Sequence, residues 1–462
     1  MKDSSTPDYR FNKQFIGLVT VVAALGGLLF GYDTAVIAGA IGFLQTHFQL
    51  DPAMKGWAAA SALLGCVIGV SFAGSFSDRM GRKKTLVLSG VLFLASAIGT
   101  SLPNAFSLFV LFRMLGGVGV GIASMASPMY IAEISPARVR GRMVSVNQFA
   151  IVTGILVIYF VNYFIVQGGD EAWNVETGWR WMFASGALPS SIFLILLFLV
   201  PESPRWLIEK GRNKEARGVL AKIGGEIYAE KEEQSIMSTL NQEVESLSQL
   251  FTSGWRKVML LGIGLAILQQ VTGINVFLYY APEIFKKLGS GADAAMLQTI
   301  VVGAVNLGFT IVAIWTVDRL GRKPLMIIGS VGMGISLVAM GLAAQFAVVS
   351  LWVLICILAY IACFALSVGP VTWVILSEIY PTRLRGRALS VATFCLWGAN
   401  FVVSQTFPMM DENPDLLARF NHGFPFYVYA FFCVILLLTV LFAVPETKGR
   451  TLEEIEGCWG TR

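Results

Sequence analysis

Twelve apolar stretches, each near or above the ~20 residues that cross the hydrocarbon core of a bilayer, divide this chain from end to end. They run from Phe15 to Phe48, Gly56 to Phe76, Thr85 to Ser101, Ala105 to Ile134, Val144 to Val166, Trp179 to Leu199, Val258 to Phe285, Ala294 to Val317, Leu325 to Phe346, Leu351 to Ile379, Ala388 to Phe407 and Phe424 to Val444. Of the 462 residues, 55 % are hydrophobic and 14 % charged. A water-soluble core cannot enclose that much apolar surface, so the excess faces lipid. The expectation is an all-α membrane protein with twelve transmembrane helices. The first stretch continues through Leu44 with no early small-residue cleavage site, so it is expected to stay in the mature chain.

The placement of charge says more than its net value of +5. Arg79, Arg82, Lys83 and Lys84, then Arg138, Arg140 and Arg142, then Arg256 and Lys257, then Arg319, Arg322 and Lys323, then Arg383, Arg385 and Arg387 fall in alternate loops. The opposite loops hold Lys55, Lys286, Lys287 and Arg419. The positive-inside rule then puts both termini in the cytoplasm. Cys66, Cys356, Cys363, Cys395 and Cys433 lie inside apolar stretches and Cys458 in the tail, so no extracellular disulfide pair is available.

The chain is one unit used twice. Asp78-Arg-Met-Gly-Arg82-Lys-Lys returns as Asp318-Arg-Leu-Gly-Arg322-Lys-Pro, 240 positions on. Glu133-Ile-Ser-Pro-Ala-Arg138-Val-Arg-Gly-Arg142 returns as Glu378-Ile-Tyr-Pro-Thr-Arg383-Leu-Arg-Gly-Arg387 after 245, and Pro201-Glu-Ser-Pro-Arg205 as Pro445-Glu-Thr-Lys-Gly-Arg450 after 244. Three matched offsets report a duplication of six spans. The expected division is 1–201 and 256–445 for two pseudo-symmetric six-helix bundles, 202–255 for a polar cytoplasmic linker with short helices, and 446–462 for a cytoplasmic tail. In such repeats a solute site lies at the repeat interface near mid-membrane and is opened to each side in turn.

Ionisable residues inside spans are costly and usually functional. Asp33 lies 18 residues past Phe15 and Arg113 lies 8 past Ala105, entering from opposite faces. At 1.5 Å per residue the depths are roughly 27 Å and roughly 12 Å, and in a membrane about 40 Å thick they coincide. The two side chains are therefore expected to pair, either as a permanent brace or as a proton-coupling pair in which Asp33 takes up a proton and loosens Arg113. His47 and His422, at the ends of spans, are the weaker proton carriers. The loop charges also admit two readings. They serve topology alone, or Glu133, Glu202, Glu378 and Glu446 pair with Arg82, Arg138, Arg142, Arg322, Arg383 and Arg387 as a cytoplasmic gate.

Gln148 and the run Gln269-Gln270-Val-Thr-Gly273-Ile-Asn275-Val-Phe-Leu-Tyr279 put amides into apolar helices. Buried amides need partners. Gly273 between them suits a helix broken around a cavity, with helix-to-helix bonding as the plainer reading. A cavity of amides with aromatic faces such as Trp373 and Tyr279 suits a neutral polyhydroxylated ligand, because each desolvated hydroxyl needs a replacement bond.

These motifs, with Gly27-Leu-Leu-Phe-Gly-Tyr-Asp33, Ser127-Pro-Met-Tyr-Ile-Ala-Glu133, Gly369-Pro-Val-Thr-Trp373 and Phe407-Pro-Met-Met-Asp411, make the chain resemble the sugar porters of the major facilitator superfamily from about Leu25 to Glu456. The resemblance implies the major facilitator fold in a bacterial inner membrane and a small neutral sugar as solute, a pentose or hexose, D-xylose first and then glucose or arabinose. It implies a sugar site of Gln148, Gln269, Gln270, Asn275, Asn306, Trp373 and Asn400 with Phe30 and Tyr279 as aromatic neighbours, and Asp33 and Arg113 as the pair that couples transport to a proton. Ile155 and Leu396 stand where xylose-carrying members are expected to hold Gln, and Leu396-Trp-Gly-Ala-Asn400 also resembles bacterial arabinose carriers. No enzyme activity, cofactor, metal or nucleic-acid partner is expected, and the unit is expected to work as a monomer in the lipid bilayer. The alternatives are a passive facilitator with the same site and, more remotely, a membrane sugar sensor.

Overall fold

The computed structural model describes residues 9, 11–240, 255–287, 289–347, 351–380 and 385–448. Twelve helices are long and apolar enough to cross a membrane: α1 Lys13–Phe48, α2 Pro52–Met80, α3 Arg82–Ser101, α4 Phe106–Ile134, α5 Arg140–Gln167, α6 Glu171–Leu197, α7 Arg256–Tyr279, α8 Ala292–Val317, α9 Arg322–Gln345, α10 Trp352–Ile379, α11 Gly386–Asp411 and α12 Pro414–Phe442. No β-strand occurs among the described residues. Lipid offers no partner for backbone N–H and C=O groups, so each span must satisfy them internally as a helix.

Several helices extend past the apolar stretch that announced them. α3 starts at Arg82 rather than Thr85 and α6 at Glu171, well ahead of Trp179. Polar residues carry these ends: Asp170 accepts a 2.8 Å bond from the Trp173 N–H at the start of α6. α7 ends earlier than expected, at Tyr279, and a separate short helix Ala281–Lys287 follows it.

Close helix approach in a bilayer depends on small residues, and α2 and α4 show how. A Cβ added at Gly65, Gly69, Gly117 or Gly121 would stand between 1.8 and 2.4 Å from a carbonyl oxygen of the facing helix. The first six helices form one bundle and the last six another; α2 packs on α11 and α5 on α8 across the seam. Between the bundles, helices Pro204–Glu209, Asn213–Gly224 and Glu226–Leu240 lie against the end that carries the first residues, where the Asn12 N–H donates to the Ile223 carbonyl at 2.9 Å. Asn213–Gly224 buries Ala216, Val219, Leu220 and Ile223 on one face, the spacing of an amphipathic surface helix.

Candidate functional site

Asp33 on α1 and Arg113 on α4 meet inside the first bundle. Arg113 Nη1 lies 3.3 Å from Asp33 Oδ2 and 3.1 Å from the Asp33 carbonyl, and Arg113 is 1 % exposed. The guanidinium also sits 5.4 Å from the Phe183 ring centroid, a cation–π contact. Glycine at 116 keeps α4 close to α3, since a Cβ there would stand 2.3 Å from Ser96 Oγ, and it leaves room beside Asp33 Oδ2, 3.3 Å from the same point. Beside the pair, a cavity of about 10 Å³, room for about one water, is lined by Tyr32, Asp33, Phe93, Phe183, Gly186 and Ser190 among others.

The second bundle supplies a chain of amides. α7 breaks between Val271 and Ile274, with Gly273 at φ +94 in the left-handed region that L side chains avoid. Gln269 Nε2 donates to the Val368 and Gly369 carbonyls at 3.3 and 2.8 Å, where a π-turn, Phe364–Val368, interrupts α10; such turns gather at functional positions. Gln270 donates to Gln269 Oε1 at 3.3 Å, and Asn275 donates to Gln270 Oε1. Asn400 accepts from Ser404 at 3.2 Å, and Tyr279 is buried. Gln148 is half-buried and Asn306 buried, and neither side chain joins that chain among the described residues. Trp373 is 38 % exposed. Phe30 packs on Trp397, ring centroids 5.4 Å apart, and so bridges α1 and α11. Trp397 escaped the sequence reading, because an aromatic inside an apolar run carries no mark of its own.

At the basic end the duplication repeats in detail. Arg82 pairs with Glu133 at 2.9 Å and Arg322 with Glu378 at 2.9 Å. Ser203 donates to Glu133, and Thr447 donates to Glu378 at 2.6 Å. Glu202 accepts from the Lys83 N–H at 3.0 Å, and Glu446 from the Arg322 and Lys323 N–H groups at 3.1 and 3.0 Å, so a carboxylate sits on the N-terminus of α3 and of α9. The glycines before them, Gly81 and Gly321, share φ values of +94 and +95. Burial works to raise the Glu446 carboxyl, but the N–H donors of Lys448, Arg322, Lys323 and Thr447 outweigh it and hold it below the ordinary glutamate range. Both ion pairs stay within one bundle, and Arg138 and Arg142 are exposed with no ion pair among the described residues. Arg387 is half-buried at the start of α11; Arg383 and Cys458 lie outside the described residues.

The bundles are joined at the opposite end. Lys55 Nζ lies 3.0 Å from Glu412 and 3.6 Å from Glu283, Gln405 donates to the Ala53 carbonyl at 2.9 Å, Gln167 to Asp293 at 2.9 Å and Tyr159 to the Leu278 carbonyl at 2.7 Å. Lys287 bridges Asp411 and Glu412, and His422 lies 3.0 Å from Asp411. Burial works to raise Glu283 and Glu412, and the lysines beside them outweigh it and leave both below the ordinary range.

The chain matches the family model "Sugar (and other) transporter" over residues 19–459. It belongs to the sugar transporter family. It is 46 % identical to the D-xylose-proton symporter of Escherichia coli (strain K12), covering 97 % of each chain, and 41 % identical to the glucose facilitated diffusion protein of Zymomonas mobilis, covering 96 % of this chain and 98 % of that one. The solved inward open conformation of the xylose transporter XylE from E. coli superposes with a TM-score of 0.85 at 44 % identity, covering 96 % of this chain and all of that one. Membership in the sugar transporter family and the two six-helix bundles class the chain with membrane transporters of the major facilitator fold.

Proposed function

We propose that this chain is a proton-coupled monosaccharide symporter of a bacterial inner membrane, with both termini cytoplasmic, that imports a pentose or hexose by alternating access. The observation that carries the coupling is the pairing of half-buried Asp33 with buried Arg113 beside a water-sized cavity. Protonating Asp33 removes the carboxylate charge that holds Arg113 and frees α1 from α4; losing the proton restores the hold. Gln269, Gln270 and Asn275 on α7, Asn400 on α11, which packs on α7, and Gln148 and Asn306 from α5 and α8, which pack on each other, offer donors and acceptors for hydroxyls, and Phe30, Tyr279 and Trp373 offer apolar faces for the ring. D-xylose is the first choice, since a D-xylose-proton symporter is among the relatives, followed by glucose or arabinose. Ile155 and Leu396, both buried, put hydrocarbon where amides are expected, and each missing hydroxyl contact weakens binding by about 1 kcal/mol. On this orientation the bundles are closed outside. Arg82, Glu133, Glu202, Arg322, Glu378 and Glu446 brace the inner end of each bundle, and the protein works as a monomer.

A second reading, passive facilitation, is favoured by the 41 % identity to a glucose facilitated diffusion protein. Uptake of labelled xylose, glucose and arabinose into proteoliposomes, with and without an inward proton gradient, separates the two. Symport gives accumulation above equilibrium that Asp33→Asn abolishes while exchange persists. Equilibration that ignores the gradient in both proteins overturns symport.

A further inference from the structure

Resting on the alternating-access reading, we propose that Lys55 is a positioning residue for transport: its ammonium, carried by the first bundle, must find two carboxylates of the second before the outer face can shut. Lys55 lies in the first turn of α2, where the helix dipole disfavours a cation, and is 2 % exposed. A buried ammonium is tolerated only when paired. The nearest acid along its own chain, Asp51, is occupied as the cap of α2, accepting the Met54 N–H at 2.8 Å. Its partners are Glu412 at 3.0 Å and Glu283 at 3.6 Å, both from the other bundle.

The dependence runs one way. Glu412 also holds Lys287 at 3.0 Å and Glu283 holds Lys286 at 3.2 Å, so the carboxylates keep a cation without Lys55, whereas Lys55 pairs with no other acid among the described residues. When the outer face opens, water hydrates Lys55; when it shuts, the two carboxylates must replace that water. A buried ion pair adds little net stability but penalises any arrangement that leaves one partner bare. The cluster therefore acts as a test of register between the bundles rather than as glue, and removing acceptors harms closure more than removing the lysine does.

Spin labels at Ala105→Cys and Ala418→Cys, exposed positions on the outer ends of the two bundles, in a full-length chain whose own cysteines are replaced, report the outer separation by pulsed electron paramagnetic resonance. Glu283→Gln with Glu412→Gln strands Lys55, and the population with parted outer ends should rise about tenfold over the parent, a cautious fraction of what breaking a buried pair costs. Adding Lys55→Met to that pair should return the distribution to the parent's, and Lys55→Met alone should stay closed. An unchanged separation in the double variant overturns the proposal, as does a triple variant as open as the double or a lone Lys55→Met that opens as far. The distances are read without sugar or gradient, so they answer independently of whether the parent exchanges sugar.

Discussion

Asn275 closes the amide chain on α7, and its loss illustrates what a single side chain does here. Asn275→Ala removes the donor to Gln270 Oε1 and leaves a buried acceptor bare, which costs about 1–3 kcal/mol. The expected outcome is a sugar KM raised about tenfold, with the maximal exchange rate little changed, measured by counterflow in proteoliposomes. Asp33 and Arg113 were legible at this scale because depth along a helix follows from counting residues, and the count puts them level. Lys55 was not: Glu283 and Glu412 sit far along the chain, Glu412 at 357 positions, and only the packing of two bundles brings them to one place. The contacts of Glu133 were hidden in the same way, since sequence proximity does not show that Ser203 and Arg82 both reach that carboxylate.

Among the elements, α9 owes its first turn to a carboxylate from beyond α12. Glu446→Gln removes the anion from that N-terminus, at a cost of about 0.3–1 kcal/mol, and should lower the melting temperature in detergent at pH 7. Because folding depresses the Glu446 pKa from an ordinary value near 4.5, its contribution is complete above that value and is lost as the pH falls through the folded one. The gap in melting temperature between parent and Glu446→Gln should therefore be full at pH 7 and narrow as the pH is taken below that ordinary value. A gap that does not narrow on acidification would assign the loss to the amide's packing instead. The break at Gly273 was readable from a glycine set among amides; the π-turn at Phe364–Val368 was not, because no residue type there departs from an ordinary apolar helix. Helix ends such as Arg82 and Glu171 were missed because hydropathy reports where lipid stops, while helices run on into the headgroup layer.

At the scale of the whole molecule, the bundles meet around Lys55 and the arrangement is close to a solved inward open conformation. If the transport cycle parts these outer ends, fixing them together must stop it. Ala53 and Gln405, joined at 2.9 Å across the seam, are the place to test this: Ala53→Cys with Gln405→Cys, bridged by a short bifunctional thiol reagent that reduction cleaves, should lose nearly all uptake and recover it on reduction. Uptake that survives the bridge would mean that the seam stays shut during transport. The duplication, twelve spans and basic loops were all visible in the sequence because each is a one-dimensional pattern; which bundle end stands closed was not, since the same residues serve every state of the cycle.

The turn between the second and third helix of each bundle is held by residues that follow its sixth, Glu202 on Lys83 and Glu446 on Lys323. Each bundle is thereby a ring fastened by its own last residues, complete before the rest of the chain is reached. Helices Pro204–Glu209 and Asn213–Gly224, which follow the first fastening, pack on that same ring and so travel with it.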